Sequence, residues 1–267
     1  MSTILPLSLL LQWNGNDKTK DKDQRSKVNT KYQKSRPPRK RERCGQAKLK
    51  AVIFDMDGLM FDTEPVSSKA YEKLIREYGK EPIFDPKTGL IHQAGLGKVL
   101  INLIKEKHNI DEDDEILRQK RRTIYRKILE KEGLEAKPGL LELLNLLNKK
   151  KIKIALASNT FYEGILFNLK KAKLDKYFNE IISGEHVENY KPHPDIYLES
   201  AKRLKVNPSE CLVLEDSGFG VESGKAAGMK VIAVPNKYTS HQDFSKADLI
   251  VNSLEKITWK KIQKLFS

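Results

Sequence analysis

The sequence of 267 residues predicts an α/β protein: a parallel sheet covered by helices on both faces, with an all-helical domain inserted near its start. Three observations predict this. The short apolar runs LKAVIFD, KIKIALASN, CLVLED and KVIAVP read as strands buried on both faces. From about residue 137 onward such runs alternate with stretches of helical period, as in βαβ units. Between the first run and the second, residues 65–136 carry helical patterns only. They read as a cap domain set into a core made of residues 49–64 and 137–267.

Taken in order, residues 1–48 come first. Residues 1–50 hold fourteen Lys and Arg against four acids, ten of the chain's +14, which leaves +4 for residues 51–267. Residues 14–48 have almost no aliphatic periodicity and cannot bury enough apolar surface to offset ordering entropy, so a basic, disordered tail is expected. Its RPPRKRER run offers a surface for nucleic acid or another polyanion. The apolar opening MSTILPLSLLLQW lacks a basic n-region and a small-residue cleavage site, so no secretory leader is expected. No apolar run approaches the roughly 18–20 residues that span a bilayer. Cys44 and Cys211 are the only cysteines and lie far apart, which argues against a disulfide framework or a cysteine metal site and fits a reducing cytoplasm.

After the strand at residue 49, residues 65–80 read as a helix, with Pro65 suited to its first turn and Gly79 to its stop. Residues 97–108 and 111–132 read as charged helices. AKPGLLELLNLLNKKK gives a turn and a strongly amphipathic helix before the strand KIKIALASN. Then follow helix 161–172, strand EIISG, helix 194–204, strand CLVLED, helix 219–228, strand KVIAVP and a last short strand DLIV.

Open parallel sheets bind ligands at the carboxyl ends of their strands. Asp55 and Asp57 follow AVIF, Ser158 and Asn159 follow IALA, Lys191 lies in the loop after EIISG, and Glu215 and Asp216 follow CLVL. Each piece alone is ordinary: a DxD often marks a turn, and Ser-Asn often caps a helix. Together they would gather four carboxylates, a hydroxyl and an ammonium at one lip. Such a cluster needs a cation, and all-oxygen ligands suit Mg²⁺. A metal beside Lys191 and Ser158 makes a pocket for a phosphate dianion. Asp55 could then act as nucleophile and Asp57 as general acid.

These residues resemble the haloacid dehalogenase superfamily, in its subgroup of phosphatases and β-phosphoglucomutase-like enzymes. FDMDGLMFDTEP resembles the first motif and its flap, ALASN the second, YKPHPDIY the third, and LEDSGFGVESGKAAGMKVIAV the fourth. The resemblance covers residues 49–253 and implies a Rossmann-like core with a helical cap. It implies Asp55 as the nucleophile that becomes an aspartyl-phosphate, and Asp57 as acid and base. Ser158, with backbone N–H groups near Met56 and Asn159, would bind phosphoryl oxygens, and Lys191 would steady Asp55. Asp216, Asp55 and the Asp57 carbonyl would hold Mg²⁺, with Glu215 outside them. Dehalogenating members lack the second aspartate, so Asp57 favours phosphoryl transfer.

The resemblance leads to a phosphatase of a small phosphorylated metabolite, such as a sugar or polyol phosphate. A mutase of the β-phosphoglucomutase kind is the enzymatic alternative. Similar mutases carry histidine five residues beyond the flap aspartate Asp62, where this chain has Ser67. Of the cap, Arg76 and the loop GLIHQAGLGK, with His92, Gln93 and Lys98, are candidates to face substrate. A binder of nucleic acid or anionic surfaces through the tail is the reading from another class, though no aromatic interleaving supports base readout.

Overall fold

The computed structural model describes residues 48–82 and 97–267. Strands β1 (Ala51–Phe54), β2 (Lys153–Ser158), β3 (Glu180–Ser183), β4 (Cys211–Glu215), β5 (Lys230–Ala233) and β6 (Leu249–Ile250) form one parallel sheet in the order β3-β2-β1-β4-β5-β6. The helices are α1 (Glu64–Glu77), α2 (Gly97–His108), α3 (Asp114–Glu132), α4 (Leu140–Lys149), α5 (Tyr162–Lys171), α6 (Asp195–Leu204), α7 (Gly218–Ala226) and α8 (Trp259–Leu265).

Side-chain alternation along the strands builds a core on each face of the sheet. Val52, Phe54, Leu156 and Leu214 pack with Leu144 of α4, Leu169 of α5 and Ile262 of α8. Ala51, Ile53, Ala155 and Val213 pack with Tyr197 and Ala201 of α6 and Val221 of α7. Because both faces are covered, every residue of β1 is buried. That is why the strand runs apolar without interruption. In α4 the buried residues Leu140, Leu143, Leu144 and Leu147 follow helical spacing. Each contributes about 1.5–3 kcal/mol by burial.

Helices α1 to α3 stand apart from this sheet with their own apolar cluster, which includes Leu74, Ile75, Ile101, Leu117 and Leu129. The fold is thus a Rossmann-like sheet with a helical cap inserted between β1 and α4. The chain leaves β1 toward β2 and β3 and later returns to the other side of β1 as β4. The order therefore reverses between β1 and β4, and the crevice at their carboxyl ends is where such sheets take ligands.

Some element limits differ from the sequence reading. The first cap helix begins at Glu64 and ends at Glu77, before Gly79 with φ +68°. The third begins at Asp114 instead of residue 111, because Asp113 caps it: its Oδ1 accepts from the backbone N–H groups of Glu115 (2.8 Å) and Ile116 (3.2 Å). Helix α8 was not anticipated, although Thr258 caps it from the sequence-readable Thr–Trp junction. Arg76, a candidate substrate contact, pairs instead with Glu81 at 2.8 Å and is more than half exposed. His92, Gln93, the side chain of Lys98 and the tail to residue 47 lie outside the described residues. Among the described residues no helix is long and apolar enough to cross a membrane.

Candidate active site

Register places the first and fourth motifs side by side. Phe54 pairs with Leu214, and the N–H of Asp55 donates to the Leu214 carbonyl at 3.0 Å. Asp55 and Glu215 therefore emerge together at the sheet's carboxyl edge, both buried. On the other side of β1, Phe54 pairs with Leu156, so β2 delivers Ser158 to the same edge. Lys191 arrives on the β3–α6 loop, whose backbone is tied to β2 by the Lys191 N–H donating to Asn159 Oδ1 at 3.3 Å.

Lys191 sits at the centre of the charges. Its Nζ donates to Asp55 Oδ1 (2.5 Å), Glu215 Oε1 (2.7 Å) and the Ala157 carbonyl (3.0 Å), which uses all three ammonium donors. Burial works to deprotonate it, but Asp55 and Glu215 outweigh burial and hold its pKa above the ordinary lysine range. Glu215 is saturated. Oε1 also accepts from the Tyr197 hydroxyl at 2.6 Å, and Oε2 accepts from the N–H groups of Asp216 and Ser217 and from Ser217 Oγ. Its position reads as a clamp on Lys191.

Asp57 leads into a neighbouring group of hydroxyls. Thr63 Oγ1 donates to its Oδ1 at 2.8 Å, while Thr160 Oγ1 (2.8 Å) and Ser158 Oγ (3.2 Å) donate to its Oδ2. Asp216 is buried, and its Oδ2 accepts from Asn236 Nδ2 at 2.7 Å. Asn236 Nδ2 also reaches the Gly58 carbonyl (3.2 Å), which Lys137 Nζ contacts as well. The turn after Asp57 is thereby fastened to the ends of β4 and β5.

One oxygen from each of Asp55, Glu215 and Asp216 lies within 4.8 Å of the others. Three carboxylates against one ammonium leave two negative charges uncompensated. Burial, reinforced by Glu215 and Asp57 against the pull of Lys191, pushes Asp55 well above the carboxylate range. Burial, then Asp55 and Glu215, does the same to Asp216. A hard divalent cation would relieve both, and the oxygen-only donors suit one.

Of the residues singled out in the sequence, Asp55, Lys191, Glu215 and Asp216 come together, and Asp57 and Ser158 adjoin them. The Asn159 side chain is directed to the Lys191 backbone. Thr63, Thr160, Tyr197 and Asn236 escaped the sequence reading. Asn236 could have been found by applying the strand-end rule to KVIAVPN, and Thr160 by extending ALASN one residue. A groove of about 310 Å³ lined by Gly139, Leu143, Leu146, Leu254 and Ile257, with Glu142 and Glu255, shares no residue with this cluster.

Comparison with known proteins agrees with the fold. The family described as haloacid dehalogenase-like hydrolase matches residues 52–234. A phosphorylated carbohydrates phosphatase of Thermotoga maritima is 35% identical over 187 residues, 69% of this chain and 84% of that protein. Hexitol phosphatase A of Escherichia coli is 33% identical over 79% of this chain and 94% of its own length. The crystal structure of β-phosphoglucomutase from Clostridium difficile superposes with a TM-score of 0.69 at 26% identity, covering 82% of this chain and 97% of that one. With the fold, the strand-end cluster and a family match across most of its length, the chain belongs to the haloacid dehalogenase-like hydrolases.

Proposed function

We propose that the protein is a Mg²⁺-dependent phosphatase that hydrolyses sugar or polyol phosphates through an aspartyl-phosphate on Asp55, with residues 65–136 as the substrate-selecting cap. The chain is a phosphoric monoester hydrolase of its family. The observation that carries the mechanism is the bridge from Lys191 to both Asp55 and Glu215, beside Asp216 and with Asp57 in the same motif as Asp55. Two relatives whose names specify phosphorylated carbohydrates and hexitol support the substrate class.

Asp55 attacks phosphorus in line with the departing oxygen. Lys191 holds its carboxylate in place and meets the charge that spreads over the phosphoryl oxygens. The Ser158 hydroxyl turns from Asp57 to one of those oxygens, and backbone N–H groups near Met56 and Asn159 take others. Asp57 gives its proton to the leaving alkoxide as the P–O bond breaks. It then takes a proton from the water that attacks the aspartyl-phosphate, and Asp55 is released. Thr63 and Thr160 keep the Asp57 carboxyl oriented through both transfers. Asp55, Asp216 and the Asp57 carbonyl would hold Mg²⁺, which would supply positive charge against the excess carboxylates and polarise the phosphoryl group. Glu215 stays outside this set, since its oxygens are occupied.

Ser67 disfavours the mutase: its hydroxyl accepts from Arg121 Nη2 at 2.7 Å where mutases resembling this chain carry histidine. Cys211 is a buried free thiol, which supports placing the protein in the reducing cytoplasm. The test is a screen of phosphorylated metabolites with Mg²⁺ and with EDTA. Asp55→Asn abolishes turnover, and Asp57→Asn lowers it by roughly 10²–10⁴-fold, both with unchanged circular dichroism. Wild-type rates in Asp55→Asn, with deamidation excluded, overturn the nucleophile; hydrolysis indifferent to EDTA overturns the metal.

A further inference from the structure

The segment that leaves β5 is pinned by one side chain. Asn236 Oδ1 accepts from the backbone N–H groups of Tyr238 (2.8 Å) and Thr239 (3.2 Å), and its own N–H donates to Thr239 Oγ1 at 3.1 Å. Its Nδ2 donates to Asp216 Oδ2 at 2.7 Å and to the Gly58 carbonyl at 3.2 Å. Both amide protons and the amide oxygen are thus in use. The reverse orientation would set an oxygen against two acceptors and an NH₂ group against two donors. The loop itself therefore dictates which atom meets Asp216.

Asp216 is buried, and the surroundings of its Oδ2 are closed. Asn236 occupies one side of that oxygen. On another it lies against the backbone of the turn after β1, where a Cβ on Gly58 would come within 2.1 Å of it. Amide and backbone together crowd Oδ2, which leaves Oδ1 to meet a cation.

We infer that Asn236 sets metal specificity by restricting Asp216 to one donor oxygen, which favours Mg²⁺ over Ca²⁺, an inference that rests on the divalent-cation reading of this cluster. Mg²⁺ takes six ligands in a near-ideal octahedron at about 2.0–2.1 Å, and the narrow bite of a bidentate carboxylate distorts that array. Ca²⁺ is larger, takes about six to eight ligands and readily accepts both oxygens of one carboxylate. Withholding the second oxygen leaves Mg²⁺ unaffected and removes a ligand from Ca²⁺. A hydrogen bond to a ligating carboxylate also fixes its direction, as outer partners of metal ligands do.

The variant Asn236→Ser separates these effects. A serine hydroxyl still accepts from the loop N–H groups, as in an ST turn, but is too short to reach Asp216. Binding of Mg²⁺ and of Ca²⁺ to the full-length protein is measured separately by calorimetry, without substrate. The ratio of the Ca²⁺ dissociation constant to that of Mg²⁺ is expected to fall at least about threefold in the variant, mainly through tighter Ca²⁺ binding. Damage to the loop alone would weaken both cations together and preserve the ratio, so a smaller fall overturns the inference. Should Asn236→Ser not melt cooperatively, Asn236→Asp is read in its place. Its carboxylate keeps the contacts to Tyr238 and Thr239 but turns an oxygen toward Asp216, which frees Oδ2, and the same fall is expected. Wild-type protein that binds neither cation, or Asp216→Asn that binds both as wild type does, overturns the metal reading itself.

Discussion

Lys191 and Glu64 are both buried charges at the same end of the molecule, and their surroundings treat them in opposite ways. Lys191 directs each donor to an acceptor, and the two carboxylates beside it more than offset desolvation. Glu64 has no such partner. Burial, with Asp57 reinforcing and Arg121 opposing, raises its pKa from 4.5 to about 7. The consequence for stability has a definite sign. Between those two values the unfolded chain has released the proton while the folded chain retains it, so stability falls as pH rises. Above the folded value the penalty is complete, about 3 kcal/mol for a shift of this size. Glu64→Gln carries no titrating proton. Its urea stability in EDTA should exceed that of wild type by about 2–3 kcal/mol at pH 8, and the gap should close toward pH 4.5. A gap independent of pH would show that Glu64 is paired in solution.

Among the elements, the turn between β1 and α1 combines a left-handed backbone with a close approach to the site. Gly58 has φ +81°, and a Cβ there would come within 2.1 Å of Asp216 Oδ2 and 2.9 Å of Asn236 Nδ2. This backbone must lie against the β4 carboxylate, and glycine alone allows both the angle and the approach. Gly58→Ala should therefore displace Asp216, weakening Mg²⁺ binding by calorimetry at least about tenfold and destabilising the fold by roughly 1–2 kcal/mol. Unchanged Mg²⁺ affinity would mean that the contact does not hold Asp216. Strand identity was legible in the sequence because burial on both faces makes each run apolar, and strand ends then located Asp55, Asp57, Ser158, Lys191 and Asp216. Interactions across distant segments were not legible. Neither the period nor the composition says that Tyr197 of α6 reaches Glu215, that Asn236 ties Asp216 to Gly58, or that Arg121 meets Ser67. Helix starts drifted where a capping side chain, such as Asp113, set the first turn. The short α8 offered too few periods to register.

At the scale of the whole molecule, charge is distributed against the average. Residues 51–267 carry a net +4, yet the reversal of strand order between β1 and β4 collects Asp55, Glu215 and Asp216 around one ammonium. The sheet brings together like charges that folding alone does not neutralise. A bound divalent cation would stabilise the native state and not the unfolded chain, where Asp55 is far from Glu215 and Asp216. At about a hundredfold excess over its dissociation constant that linkage is worth about 2.7 kcal/mol. For a domain of this size it corresponds to a melting shift of roughly 5–10 °C. Mg²⁺ should raise the melting temperature by that order, whereas KCl at equal ionic strength should not, because screening acts weakly on buried charges. Asp216→Asn should melt higher than wild type in EDTA, having lost one of the crowded charges, and should respond little to Mg²⁺. Equal shifts with KCl and Mg²⁺, or an undiminished response in Asp216→Asn, would place the cation elsewhere on the protein and leave the crowding of these carboxylates to be relieved by protonation alone.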